Sequence, residues 1–129
     1  MKNTLLACGV VVALISGAIW YATSGGDTQA RDGDTISYRG MRIRLLGFDT
    51  PEIDGKCPAE IAKARAAKRA LEGLIAGAEI IDVRFRGDMD RYGRRLAWLI
   101  LDGEDVAHAM IASGLAREYH GGPRQGWCR

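Results

Sequence analysis

Residues 44–52 read RLLGFDTPE, an apolar run that ends in a cluster of polar side chains. The apolar residues of this run predict a buried strand. Pro51 ends the strand, because proline lacks a backbone N–H and restricts the residue before it to extended conformations. Two carboxylates, Asp49 and Glu52, are therefore expected where a strand leaves the core, next to a hydroxyl group and close to a cation.

Two other segments carry polar groups beside predicted strands. The DGDT segment at 32–35 places carboxylates at a turn before a short strand, and the DRYGR segment at 90–94 places a cation before an apolar strand at 96–101. A hard cation such as Ca²⁺ prefers oxygen ligands. Arginine offers a planar fork of donors that matches a phosphate group. Together, the three segments supply oxygen ligands for a hard cation and arginines for a phosphate.

The chemistry of these side chains predicts hydrolysis of a phosphodiester. The candidate ligands of the cation are Asp34, Asp49 and the carbonyl group of Thr50. Arg44 and Arg94 are candidates for binding phosphate oxygens, where negative charge grows in the transition state. Glu52 is a candidate general base that would take a proton from the attacking water.

Because the three segments follow one another in this order, with a helix-sized gap before the last, residues 31–119 resemble the thermonuclease (staphylococcal nuclease-like) family. The resemblance implies a calcium site at Asp34, Asp49 and Thr50, a catalytic set of Arg44, Glu52 and Arg94, and a role for Tyr92 in positioning the substrate. It implies Ca²⁺-dependent endonuclease action on DNA and RNA that leaves a 3′-phosphate. Low sequence specificity is expected because no segment resembles a groove-reading element and the arginines would contact phosphate. The resemblance also implies an α+β fold, a five-stranded OB-fold barrel with about two packed helices.

The N-terminal part of the chain predicts export. Residues 5–22 carry no charge and follow Lys2, a pattern typical of a signal peptide or a signal anchor. We therefore divide the chain into residues 1–26, an apolar helix with a short linker, and a nuclease-like domain at 27–129. An uncleaved anchor is favoured and would hold the domain at the bacterial inner membrane, facing the periplasm or exterior. Cleavage would instead release a secreted protein.

Two cysteines of the domain, Cys57 and Cys128, are expected to form a disulfide bond. Disulfides are common in exported domains, and the glycine-rich tail at 121–128 would otherwise lack an anchor. The alternative is two free thiols. A zinc site that combines these cysteines with the two histidines is discounted, because no close pair of ligands exists in the sequence.

The remaining pattern predicts the order of elements. We expect a short first strand at 27–30, a hairpin of strands 35–38 and 41–48, and a helix from Pro58 to Gly77. Strands at 81–86 and 96–101 and a short helix at 105–113 should follow. Trp98 is expected in the core. Asp90 is expected to fix the loop that presents Arg94.

Two other functions compete with the nuclease hypothesis. The net charge of the chain is only +2, which is far from the strongly basic surface of a dedicated nucleic-acid binder. A non-catalytic OB-fold module that binds nucleic acid or protein is the main alternative. A purely structural set of salt bridges ranks last, because buried ion pairs are costly to build. The protein is expected to be monomeric.

Overall fold

The structure is a computed structural model that describes residues 27–128. Its strands are β1 (Thr28–Ala30), β2 (Thr35–Tyr38), β3 (Met41–Leu45), β4 (Gly47–Asp49), β5 (Ile81–Met89), β6 (Arg95–Leu101), β7 (Glu104–Asp105) and β8 (Arg117–Tyr119). Its helices are α1 (Pro58–Gly77) and α2 (Val106–Ala112). The predicted apolar helix at 5–22 lies outside the described residues. Among residues 27–128, no helix is long and apolar enough to cross a membrane.

The main sheet is mixed. Its strands are ordered β1-β2-β3-β6-β5, with β7 paired to β6, and a second sheet contains β4 and β8. All neighbours in the main sheet are antiparallel except β3 and β6, which run parallel. Between residues 27 and 128, no ladder joins β1 to β5, so the closed five-stranded barrel is not observed there. The α+β fold with two helices is confirmed, and the first strand is short, as the sequence predicts.

Helix α1 has the limits that its sequence predicts. Pro58 stands at its first position, where a missing N–H does no harm, and the helix ends at Gly77. Its buried face contains Ala64, Ala67, Leu71 and Ile75, residues that recur at helical spacing. This face packs in the core with strands β2, β3 and β6. The helix therefore covers one side of the sheet and begins beside the segment that carries Glu52.

The predicted strand at 41–48 is wrong in one respect, because the structure divides it. Strand β3 ends at Leu45 and β4 begins at Gly47, whose φ of +97° lies in the region that favours glycine. The change in direction releases β4 from β3 and pairs it with β8, which the sequence did not predict. This short second sheet carries Asp49 away from the main sheet and towards the C-terminal part of the chain.

Trp98 is not in the core, although the sequence predicts it there. Its neighbours Ala97 and Leu99 are fully buried, whereas 37% of Trp98 is exposed on the opposite face of β6. The side chains of a strand point alternately to its two faces, and only one face of β6 is covered at this position. The exposed face lines a groove that also reaches Arg44 and Arg94.

Candidate active site

Strand register brings the polar segments together. In the antiparallel pair of β2 and β3, Thr35 lies opposite Arg44, which places Asp34 beside the end of β3. In the parallel pair of β3 and β6, Arg44 lies opposite Leu96, which places Arg94 at the same sheet region. Three segments that are distant in the sequence therefore converge because β3 lies between β2 and β6.

The centre of the site is a buried ion network. Arg44 donates through Nη2 towards Asp34 Oδ2 at 3.3 Å and towards Asp49 Oδ1 at 3.2 Å. Its Nη1 donates to the carbonyl of Phe48 at 3.1 Å and to that of Leu45. All three charged side chains are buried. A single guanidinium thus holds the two carboxylates that the sequence assigns to a cation.

The DGDT turn is held against the site by close packing. Asp34 Oδ2 accepts a hydrogen bond from the backbone N–H of Thr50 at 3.1 Å, which joins the turn to the end of β4. A Cβ added at Gly33 would lie 2.8 Å from the side chains of Thr50 and Ala67. Only glycine allows this approach. The three predicted cation ligands, Asp34, Asp49 and Thr50, are therefore brought together.

Burial is the main reason why two carboxylates of the site have raised pKa values. Burial raises the pKa of Asp49, an effect that Asp34 strengthens and the cations Arg124 and Arg44 oppose. Burial and the neighbouring Asp34 also raise the pKa of Asp32, to about 6. A divalent cation bound next to these carboxylates would stabilise their charged forms. The donors are all oxygen, so the residues present suit a hard cation such as Ca²⁺.

Glu52 follows the buried centre and lies on an exposed loop that a second glutamate fixes. Glu60 is buried on the first turn of α1 and accepts the backbone N–H of Lys56 at 2.9 Å and that of Glu52 at 3.4 Å. A Cβ at Gly55 would collide with the Glu60 carboxylate at 2.6 Å. The side chain of Glu52 itself remains about half exposed. Its backbone is thus fixed while its carboxylate is open to solvent, as a base that acts on water requires.

Arg94 is presented by the loop that precedes β6. Asp90 Oδ2 accepts from Arg94 Nε at 2.7 Å, and Asp90 Oδ1 accepts the backbone N–H groups of Tyr92 and Arg94, each at 2.9 Å. Asp90 therefore fixes the loop, as predicted. Arg94 Nη1 lies 3.5 Å from Thr35 Oγ1, which connects the loop to β2. The ring of Tyr92 is exposed beside the guanidinium, 5.5 Å from its carbon.

A third arginine completes the site, and the sequence analysis missed it. Arg124 Nε lies 3.0 Å from Asp49 Oδ1, and Arg124 Nη2 is hydrogen-bonded to Glu52 Oε1. This residue therefore bridges a predicted cation ligand and the predicted base. Nothing in the glycine-rich sequence GGPRQGW at 121–127 predicts an element that would bring Arg124 to the site. Its placement depends on how the tail is attached.

The tail is attached through its penultimate residue. The structure joins Cys57 to Cys128, with the Cα atoms 6.1 Å apart, within the range that a disulfide requires. Whether the isolated protein contains this bond stays a prediction. Cys57, Glu60 and Cys128 place their ligand atoms within 4.8 Å of one another. The two bonded sulfurs are not available as thiolate ligands, so this group is not proposed as a metal site.

Comparisons with known proteins agree with this geometry. A family profile described as staphylococcal nuclease homologue matches residues 42–126. The chain is 35% identical over 95 residues to the endonuclease YncB of Bacillus subtilis, which covers 69% of this chain and 44% of that protein. An endonuclease of the same organism, the SPbeta prophage-derived YokF, is also 35% identical over 95 residues, covering 69% of this chain and 32% of that protein.

A relative with a different description also matches. The succinoglycan biosynthesis protein ExoI of Rhizobium meliloti is 32% identical over 96 residues, which covers 70% of this chain and 50% of that protein. The chain therefore spans half or less of the length of these three relatives. The matched region includes Arg44, Asp49, Glu52, Arg94 and Arg124. On this evidence, the chain belongs to the staphylococcal nuclease homologue family.

Proposed function

We propose that this protein is a Ca²⁺-dependent nuclease that hydrolyses phosphodiester bonds in DNA and RNA with low sequence specificity. The main observation is the convergence of buried Asp34 and Asp49 with arginines and with the half-exposed Glu52. Two members of the same family that resemble the chain are named endonucleases. No groove-reading element is evident in residues 27–128, and arginines at the site would recognise the phosphate backbone, which carries no sequence information.

The chemistry follows from the side chains. Glu52 takes a proton from a water molecule, whose oxygen attacks phosphorus while the bond from phosphorus to the 5′ oxygen breaks. The 5′ oxygen takes up a proton from solvent and departs as a hydroxyl group, which leaves a 3′-phosphate. Arg94 donates hydrogen bonds to phosphate oxygens as negative charge develops. Arg44 holds the two aspartates, lines the same groove as Arg94, and likewise donates to a phosphate oxygen. A Ca²⁺ ion held by Asp34, Asp49 and Thr50 would supply positive charge to a phosphate oxygen.

The arrangement also argues against the non-catalytic alternative. A binding module needs cations at its surface, but it does not need two buried aspartates held by a buried arginine. Taking such charges out of water is costly, and the raised pKa of Asp49 reflects that cost. The cost is explained if the aspartates bind a cation that takes part in hydrolysis.

The location of the enzyme remains a proposal based on the sequence. The uncharged residues 5–22 favour a protein that is tethered to the membrane or exported, with its nuclease domain outside the cytoplasm. In that setting, the substrates would be extracellular or periplasmic nucleic acids. The monomeric state is also a proposal.

A direct assay tests the proposed function. Purified protein is incubated with end-labelled single-stranded DNA, duplex DNA and RNA in the presence of Ca²⁺, Mg²⁺ or excess chelator. We expect cleavage of all three substrates with Ca²⁺, less with Mg²⁺, which demands a stricter octahedral geometry, and none with chelator. A mock preparation from host cells that lack the gene controls for contaminating nucleases. Undiminished cleavage in chelator would contradict the metal assignment, and binding without any cleavage would favour the non-catalytic module.

A further inference from the structure

The tail is fastened on both sides of Arg124. On the N-terminal side, the hydroxyl of Tyr119 donates to the carbonyl of Gly122 at 2.6 Å. On the C-terminal side, Arg117 Nη1 donates to the carbonyl of Gly126 at 2.9 Å. Between these points, residues 121–126 form no helix or strand, and all of them are exposed.

The ring of Trp127 strengthens the second attachment. The guanidinium of Arg117 lies 3.6 Å from the ring centroid, and Lys63 Nζ of α1 lies 5.1 Å from it. The predicted bond between Cys57 and Cys128 adds a covalent link to the start of α1. Ordering a glycine-rich segment costs conformational entropy, and an exposed segment gains little from burial. The effect of these contacts is to hold Arg124 at one place over the site.

That place is the junction of two grooves. The first has a volume of about 550 Å³, and Arg86 and Arg91 are among the residues that line it. The second has a volume of about 490 Å³, and its lining includes Arg42 and Lys56. Three residues line both grooves, namely Tyr92, Arg94 and Arg124. A nucleic-acid backbone that passes from one groove to the other would therefore pass beside Arg94 and Arg124.

The contacts of Arg124 leave donors for a further anion. Its Nε is close to Asp49 and its Nη2 to Glu52, so neither carboxylate engages Nη1. The side chain is 42% exposed, in contrast to the buried Arg44. An arginine can bind a phosphate with two parallel N–H groups, and the planar guanidinium is less strongly hydrated than an ammonium group. Arg124 is thus accessible, held in position and suited to phosphate.

We propose that Arg124 is a third phosphate-binding arginine, which contacts the backbone of a nucleic-acid substrate where the two grooves meet. The inference rests on the proposed nuclease function and adds a substrate contact supplied by the tail. In the absence of substrate, Asp49 and Glu52 hold the guanidinium in place. A substrate phosphate then becomes an additional acceptor for Arg124.

The test compares Arg124→Ala and Arg124→Lys with Arg69→Ala. Arg69 is exposed on α1 and lines neither groove, so its variant removes the same charge away from the site. One readout is kcat and KM on single-stranded DNA with Ca²⁺. The other is the Kd for a fluorescent phosphorothioate oligonucleotide, measured by anisotropy at several salt concentrations. Thermal melting of each variant checks that it is folded.

We expect Arg124→Ala to raise KM by roughly tenfold, as for a lost charged hydrogen bond. The slope of log Kd against log salt should fall by about 0.7, the value for one phosphate contact on a single strand. Arg124→Lys should keep the slope and weaken binding less. Arg69→Ala should match the wild type in both measurements. A purely structural role for Arg124 would not change the salt slope.

Two results separate this inference from the proposed function. If the wild type neither binds nor cleaves nucleic acid, the nuclease function fails and the Arg124 contact fails with it. If the wild type cleaves, but Arg124→Ala keeps the wild-type KM and salt slope, only the Arg124 inference is wrong. A lower kcat with both other quantities unchanged would likewise overturn it, and would assign Arg124 to the orientation of Glu52. If Arg124→Ala does not fold, the KM of Arg124→Lys decides. A KM above that of the wild type would support the inference, and an unchanged KM would overturn it.

Discussion

The site has two layers that are built differently. In the inner layer, Arg44 is buried between Asp34 and Asp49, and all three side chains lie on or beside strands of the core. In the outer layer, Glu52 lies on a loop and meets Arg124, which comes from the tail, and both side chains are about half exposed. The inner layer is therefore part of the folded core, whereas the outer layer is attached to it. Changes to the inner layer should affect both stability and activity, and changes to the outer layer mainly activity.

The largest effect is expected from the outer layer. Glu52→Gln removes the proposed base while keeping its size, and turnover should fall by roughly 10² to 10⁴-fold. Exposed ion pairs contribute little to stability, so the melting temperature should stay close to that of the wild type. Steady-state cleavage and thermal melting on the same preparation check both parts. If Glu52→Gln cleaves at the full rate, Glu52 is not the general base. If its melting temperature falls markedly, the outer layer supports stability as well as activity, and the two layers do not differ in the way proposed.

Arg94→Ala should lower turnover to a similar extent, through loss of charge stabilisation at the phosphate. Its loop should remain ordered, because Asp90 also accepts the backbone N–H groups of Tyr92 and Arg94, which the substitution does not remove. If both Glu52→Gln and Arg94→Ala cleave at the wild-type rate, neither side chain is catalytic and hydrolysis does not take place at the proposed site.

Arg44→Lys tests the inner layer. Lysine keeps the charge but cannot reach Asp34, Asp49 and two carbonyl groups with a planar fork. We expect turnover to fall by roughly 10²-fold, since loss of one oriented donor has about this effect. We also expect the free energy of unfolding to fall by about 1–3 kcal/mol, because buried acceptors lose their partner. Chemical denaturation monitored by circular dichroism measures the second quantity. A variant with lower activity but unchanged stability would show that the inner layer does not support the fold.

The inner layer could be predicted from the sequence because its members are close to strand ends. RLLGFDTPE marks a strand and its termination, and the hairpin register brings DGDT beside it without help from the rest of the chain. The parallel pairing of β3 with β6 brings Arg94 to the same site. The family resemblance placed Arg94 with the other site residues, but neither the resemblance nor the local pattern predicted this pairing. Roles of individual residues remain predictions, since geometry alone does not show catalysis.

The outer layer and the second sheet could not be predicted in the same way. Arg124 is brought to Glu52 across 72 positions of sequence, by contacts of a tail with no periodic pattern. Gly47 redirects the chain between β3 and β4, but an isolated glycine within an apolar run does not reveal its φ angle. Trp98 was misplaced because alternation along β6 does not show which face is covered. These features depend on tertiary contacts rather than on local preference.

The predicted disulfide tests how the outer layer is attached. A bond that closes a loop with a sequence separation of 71 residues should contribute up to about 4 kcal/mol, according to the chain-entropy estimate. Reduction should therefore lower the melting temperature of the wild type and leave the Cys57→Ser, Cys128→Ser double variant unchanged. Activity should also become sensitive to reductant, because Arg124 and the start of α1 lose their common anchor. Mass spectrometry after alkylation without reduction identifies the bond, and two alkylated cysteines would contradict it.

The smallest effect concerns Asp32, whose carboxylate lies at the edge of the inner layer. Burial and the neighbouring Asp34 raise its pKa from 3.8 to about 6, so the folded state binds a proton more strongly than the unfolded state. The protonated carboxyl of Asp32 therefore adds to the free energy of unfolding. This contribution is fully present below pH 4 and is lost as the pH rises through about 6. Asp32→Asn, which retains an oxygen that can accept the N–H of Asp34, removes this penalty at neutral pH. In excess chelator, the variant should gain on the order of 1–2 kcal/mol relative to the wild type between pH 4 and pH 7. Denaturation curves across this range measure the difference, and a constant difference at every pH would show that the pKa of Asp32 is not raised in the folded state.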